Sequence, residues 1–116
     1  MKTIYVPSRN DIVWLDFEPT KGKEIGKYRP ALVLSSVEYS QKTGLVICCP
    51  VSTSIRGAIT EVPVRNLDTP CVVASNLIQT LSLKDRNVKF AAVAEDGVFE
   101  DVLARLIPLI GAENFF

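Results

Sequence analysis

Apolar residues along the chain fall into short runs separated by polar, glycine- or proline-bearing stretches: DIVWLDF at 11–17, ALVLSSV at 31–37, LVICCPV at 45–51, AITEVPV at 58–64, CVVAS at 71–75, IQTL at 78–81 and VKFAAVA at 88–94. Their brevity and their wealth of β-branched side chains are the pattern of strands. Recurrence about every ten residues, with turn residues between, predicts a small antiparallel barrel and argues against alternating strand–helix units of a parallel sheet. Pro63 has no amide donor, which assigns that part of 58–64 to an edge or a bulge. Successive side chains of a strand face opposite sides, so Cys48 and Cys49 are expected on the two faces of 45–51.

A three- and four-residue spacing takes over near the C-terminus, where Phe99, Val102, Leu103, Leu106 and Ile110 form one apolar face. This predicts an amphipathic helix with Asp96 as its cap and acids in its first turn, ended or kinked near Ile107 by Pro108, with Gly111 as the stop. A shorter helix is expected over VEYSQK, capped by Ser36 and closed by Gly44. The fold class is therefore mainly β with short helices.

Composition narrows the class. At 116 residues, 47% hydrophobic and 22% charged, the chain matches one globular domain over 1–116 and excludes a disordered polymer. Its longest uninterrupted apolar run, 45–51, falls far short of the roughly 20 residues of a membrane-spanning helix. The amino end, MKTIYVPSRND, holds too short an apolar patch for a signal peptide, so a cytoplasmic protein with no membrane partner is expected. With three cysteines, no Cys-x-x-Cys spacing and no histidine, zinc and haem have no ligand set, and no cofactor or metal is expected. Asp11, Asp16 and Glu18 are the nearest set of carboxylates for magnesium, although acids at a strand end are more often simply solvated.

Thirteen basic and thirteen acidic residues cancel, but unevenly. Residues 93–116 carry Glu95, Asp96, Glu100, Asp101 and Glu113 against Arg105 alone, which leaves the rest of the chain net positive and able to attract phosphates. The segment EPTKGKEIGKY at 18–28 is long for a hairpin connection and rich in lysine; it reads either as a solvated loop or as a basic flap over a polyanion.

Those residues also carry a resemblance. DIVWLDFEPTKGKEIGKYRPALVLS, followed in order by KTGLVICCPVST, resembles the MazF/PemK family of toxin endoribonucleases. The resemblance implies an SH3-like barrel, a homodimer, metal-independent cleavage of single-stranded RNA at short sequences, and a cognate acidic antitoxin through which alone the protein reaches DNA. RNA can cleave through its own 2′-hydroxyl, so the protein need supply only proton transfer and charge stabilisation.

Arg29 is the first expected catalytic residue: a guanidinium can fork across two phosphate oxygens, and Pro30 biases it to extended geometry. Ser52 stands where the family usually has threonine and Thr53 follows it, so either can carry the hydroxyl role; on a regular pleat only one of the two faces the groove. Glu24 can orient Arg29 or accept the 2′-hydroxyl proton. Lys21, Lys23, Lys27, Arg56, Lys84 and Arg86 are candidate RNA contacts, and Tyr28 a base-stacking surface, whereas Trp14, within a strand run, is expected in the core or a dimer interface. Asn10 replaces a usual glycine, Ile25 a common glutamine, and Asn76 and Leu77 the Asp-Gln of the PemK-like branch, where the aspartate serves as a catalytic acid or base; the last departure implies either the MazF-like branch, resting on Arg29 and Ser52, or weak catalysis. Two other functions share the barrel: a non-enzymatic gyrase poison, opposed by the tryptophan-free terminus AENFF, and a degenerate interaction module.

Overall fold

The computed structural model describes residues 5–17 and 27–115. Glu18, Lys21, Lys23, Glu24 and Ile25 lie outside the described residues. Strands β1 (Asp11–Asp16), β2 (Tyr28–Val33), β3 (Leu45–Ser52), β4 (Glu61–Val64), β5 (Cys71–Ala74), β6 (Gln79–Ser82) and β7 (Lys89–Val93) are joined by helix α1 (Val37–Thr43) and followed by helix α2 (Val98–Leu109). Two short 3₁₀ turns occupy Ser75–Leu77 and Glu113–Phe115. Neighbouring strands run antiparallel in the order β4-β5-β3-β2-β1-β7, with β6 also pairing to β3, so the sheet curls into a half-barrel around its longest strand.

The apolar runs sit at the centre because both their faces are covered. On β2 and β3, Leu32, Cys49 and Val51 join a core under α2, while Ala31, Val33, Val46 and Cys48 join a second core inside the curl. Cys48 and Cys49 thus face opposite sides, as alternation requires. Val98 and Val102 are the buried side chains of α2 and close the first core. Among the described residues no helix is long and apolar enough to cross a membrane.

Three prolines lie in strands: Pro50 is in the central β3, paired with Ala31, and the other two sit where a missing donor is tolerated. Pro63 is on β4, the edge of the sheet. Pro30 lies within β2, paired with Trp14, and β3 joins β2 only from Ala31 onward. The strand therefore starts at Tyr28, three residues before the apolar run, because pairing with β1 extends it through Arg29 and Pro30.

Helix α1 forms as expected: the Ser36 hydroxyl accepts the Tyr39 amide at 3.2 Å, and Gly44 closes the helix at φ 72°, its amide donating to the Ser40 carbonyl at 2.9 Å. Helix α2 departs from expectation at both ends. Asp96 does not cap it; the helix opens at Gly97 with no side-chain cap. Pro108 does not end it either, since the helix runs through the proline to Leu109. In the last turn one missing donor is affordable, because a Schellman closure follows: the Ala112 amide donates to Ile107 and the Gly111 amide to Pro108, both at 3.0 Å, with Gly111 left-handed at φ 68°.

Candidate functional site

A cleft of about 750 Å³ opens where β1, β2, β3 and β7 meet the loop between β4 and β5. Arg29 and Pro30 reach it from β2, Ser52 from the last position of β3, and Thr53 from just beyond. Three sequence-predicted residues, Arg29, Ser52 and Thr53, thus line one cavity although the two hydroxyl residues follow the arginine by 23 and 24 positions. Register explains it: β2 and β3 pair antiparallel from Ala31 and Pro50, so the start of one strand lies beside the end of the other.

Arg29 is half-buried, and loss of solvent lowers its pKa from the ordinary arginine value; arginine nonetheless stays charged in proteins. A partly desolvated guanidinium acts on a phosphate more strongly than one in bulk water. The Ser52 hydroxyl oxygen accepts the Ser54 amide at 3.0 Å, which fixes the turn out of β3 and leaves the hydroxyl proton to be donated. Because β3 ends at Ser52, the expectation that only one of the two hydroxyl residues reaches the groove does not hold: the pleat stops and both line it.

Of the two places expected for Trp14, the core is not the one it takes. It is 40% exposed, lines the cleft and stacks on Tyr28 with centroids 5.7 Å apart and planes 19° off parallel. Strand alternation alone did not mark it, since Trp14 shares its face of β1 with the fully buried Ile12 as well as with the half-buried Asp16. The Tyr28 hydroxyl donates to the Asn87 carbonyl at 3.0 Å, so this aromatic pair is tied to the turn after β6. Arg86 belongs to the same tether: its guanidinium donates to the Asp16 carbonyl at 3.1 Å and its own carbonyl accepts the Asp16 amide at 2.8 Å. Lys84 is exposed on that turn and Lys27 precedes β2 with φ 75°. Arg56 lies on the exposed loop after β3, whose Arg56 and Gly57 amides are gathered by the Glu61 carboxylate. These four basic residues do not line the cleft, and Asn76 is exposed on the 3₁₀ turn that packs beside α2.

The buried thiols offer no nucleophile. Burial pushes Cys48 and Cys49 up to about 12 and raises Cys71, which borders the cleft, so all three are held as neutral thiols near pH 7. Among the described residues no three His, Cys, Asp or Glu side chains gather as a metal site.

Sequence reasoning missed part of the wall: Asp68 and Thr69 in the β4–β5 loop, and Phe90 on β7. NLDTP signals only a turn, and nothing in VKFAAVA marks the β-bulge that shapes β7.

Residues 8–110 match the family described as PemK-like, MazF-like toxin of type II toxin-antitoxin system. The chain is 32% identical over 111 residues to the endoribonuclease toxin MazF of Escherichia coli strain K12, covering 96% of this chain and all of that protein. It is similar to the crystal structure of MazF from Deinococcus radiodurans, at a TM-score of 0.89 and 37% identity over 93% of this chain and 99% of the other. A MazE-MazF structure from the same organism gives a TM-score of 0.81 and 33% identity, covering 93% and 98% of the two chains. With strands, cleft and sequence in agreement, the chain belongs to the PemK-like, MazF-like toxin family of type II toxin–antitoxin systems.

Proposed function

We propose that this chain is an endoribonuclease toxin that cuts single-stranded messenger RNA at short sequences in the cytoplasm and so inhibits translation and growth. The observation that carries the reading is the convergence of Arg29, Ser52 and Thr53 on one cleft whose rim includes the exposed face of Trp14. The ribonuclease names of its relatives favour it over a gyrase poison or an interaction module.

The chemistry follows from the substrate. The 2′-hydroxyl of one nucleotide attacks its own 3′-phosphate, the bond to the next 5′-oxygen breaks, and a 2′,3′-cyclic phosphate and a free 5′-hydroxyl remain. The nucleophile is internal to the RNA, so the reaction asks the protein for no covalent group and no metal. Arg29 spans the non-bridging oxygens as negative charge gathers there. Ser52, or Thr53 beside it, donates a hydrogen bond to the same phosphate. Glu24 is proposed to orient Arg29 or accept the 2′-hydroxyl proton. Lys21, Lys23, Lys27, Arg56, Lys84 and Arg86 are proposed to meet phosphates outside the reacting position, and Tyr28 to support a stacked base through Trp14.

Residues 1–116 are taken as a single toxin domain that works as a homodimer, since Val93, Ile110 and Phe115 remain more than half exposed on β7 and the C-terminal segment. An acidic antitoxin is the proposed opposing partner, as a structure of MazE with MazF is known for the Deinococcus relative. Purified protein with excess chelator is expected to cut single-stranded RNA and spare duplex, leaving cyclic phosphate ends. Absolute dependence on magnesium would sink the mechanism.

A further inference from the structure

The cleft contains residues for which the cleavage chemistry has no use. Phe90 is 51% exposed, yet it is held from behind: Tyr5 meets it edge-on, with centroids 5.7 Å apart and planes at 69°. The Tyr5 hydroxyl donates to the Asp11 carboxylate at 2.6 Å, and the same oxygen accepts the Ser8 amide at 3.0 Å. Burial and the neighbouring Asp11 charge raise the Tyr5 pKa, so this donor persists through the working pH range. A β-bulge lies here: Ile12 pairs with Ala92 and Val13 with Phe90, leaving Ala91 without a partner on β1. A regular pleat turns alternate residues to one side, whereas Phe90, Ala91 and Ala92 all line the cleft.

The β4–β5 loop is fastened to the same strand. Asn66 donates from Nδ2 to the Val93 carbonyl at 2.9 Å and accepts the Glu95 amide on Oδ1 at 3.2 Å, while the Glu95 carboxylate takes the Arg65 amide. The loop's polar lining residues, Asp68 and Thr69, are therefore set on one frame with Phe90. A carboxylate repels phosphate, so an acid in an RNA cleft suits the edge of a base, where it accepts from amino and imino groups.

We propose that Phe90, Asp68 and Thr69 form a base-reading subsite, in which the ring stacks one unpaired base and the loop hydrogen-bonds its edge to set the cleavage sequence. The inference rests on the ribonuclease reading and adds the determinant of its specificity. Guanine, with adjacent N1–H and N2–H donors, fits the Asp68 carboxylate best.

The test pairs two readouts: affinity for a 2′-O-methyl oligonucleotide that cannot be cut, and sequencing of the ends left by wild type and variants on a randomised RNA pool. Phe90→Ala is expected to weaken oligonucleotide binding about tenfold or more and to raise KM with a much smaller effect on kcat, and Phe90→Trp to restore both. Asp68→Asn is expected to change the preferred base at one position of the cut site. Unaltered affinity in Phe90→Ala, or an unaltered cut-site preference in Asp68→Asn, overturns the subsite. Dissociation of a wild-type dimer by Phe90→Ala in sedimentation also overturns it, by assigning the ring to a subunit contact. Wild type that binds the uncuttable oligonucleotide but cleaves nothing defeats the nuclease reading instead, so the two failures are distinct.

Discussion

Ser52 holds two obligations in one hydroxyl: its oxygen anchors the Ser54 amide, and its proton is available to the cleft. Threonine at 52 keeps both, so Ser52→Thr is expected to retain cleavage, while Ser52→Ala lowers kcat/KM about a hundredfold, the scale of losing one preorganised donor. Thr53→Ala, lacking the backbone anchor, is expected to cost less than tenfold; a rate assay that reverses this ranking transfers the hydroxyl role to Thr53. Arg29→Ala is expected to lower kcat/KM by about a hundredfold or more, and Arg29→Lys to recover only part, since an ammonium keeps the charge but not the fork. Asn10 shows how asparagine can stand at a position the family usually gives to glycine, at the cost of a buried Oδ1 that no partner meets among the described residues. It sits at φ 72°, a conformation asparagine tolerates better than most residues, with its Nδ2 donating to the Ala94 carbonyl at 2.8 Å. Arg29, Ser52 and Thr53 were legible as a set because their blocks resemble a known family, whereas Trp14 and Phe90 were not. A strand run announces that a side chain lies on a sheet, but neighbouring loops and the bulge at Ala91 decide whether that face is covered or lines a cleft.

Strand β3 shows at the element scale why a continuous apolar run is needed: it pairs with β2, β5 and β6 and carries Cys48 into one core and Cys49 into the other. Both thiols have a folded pKa raised from 9.0 to about 12 by burial. The folded chain therefore keeps these protons where the unfolded chain releases them, and the stability they contribute is intact below about pH 9 and lost as pH rises toward 12. Denaturant midpoints are expected to fall between pH 8 and 11, and less steeply in Cys48→Ala once its lower baseline is subtracted. An equal slope in that variant locates the alkaline sensitivity elsewhere. For α1, Ser36→Ala removes the acceptor of the Tyr39 amide and is expected to lower stability by about 1 kcal/mol in equilibrium denaturation, with cleavage per folded molecule unchanged. This helix was readable because its cap Ser36 and its stop Gly44 bracket it at the right spacing. The ends of α2 were not: proline is a poor stop signal inside a last turn that closes through Ile107 and Pro108, and Asp96 sits one residue too early, with Gly97 at the cap position.

For the whole molecule, the charge count of zero conceals a division of labour. Of the acids of 93–116, Glu100 and Asp101 occupy the first turn of α2 and Glu95 fastens the β4–β5 loop, while Arg29 from β2 lines the cleft. RNA and an acidic antitoxin are both polyanions, so the proposed partner is expected to cover the cleft that binds RNA. An antitoxin segment that folds as it binds loses conformational entropy, and charge contacts must offset part of that loss. Its affinity should consequently fall with salt, as should that of RNA, where each phosphate neutralised contributes about −0.7 to the slope of log affinity against log salt for a single strand. Arg29→Ala should flatten both slopes by about one contact. Competition can then be measured directly: a labelled uncuttable oligonucleotide should be displaced by the antitoxin peptide at one peptide per cleft, and sedimentation should show a dimer retained throughout. A peptide that binds while the oligonucleotide stays in place would put the antitoxin on another surface, with the exposed Ile110 and Phe115 as the first region to examine. A protein that sediments as a monomer at micromolar concentration would instead remove the dimer from the scheme and leave each cleft to act alone.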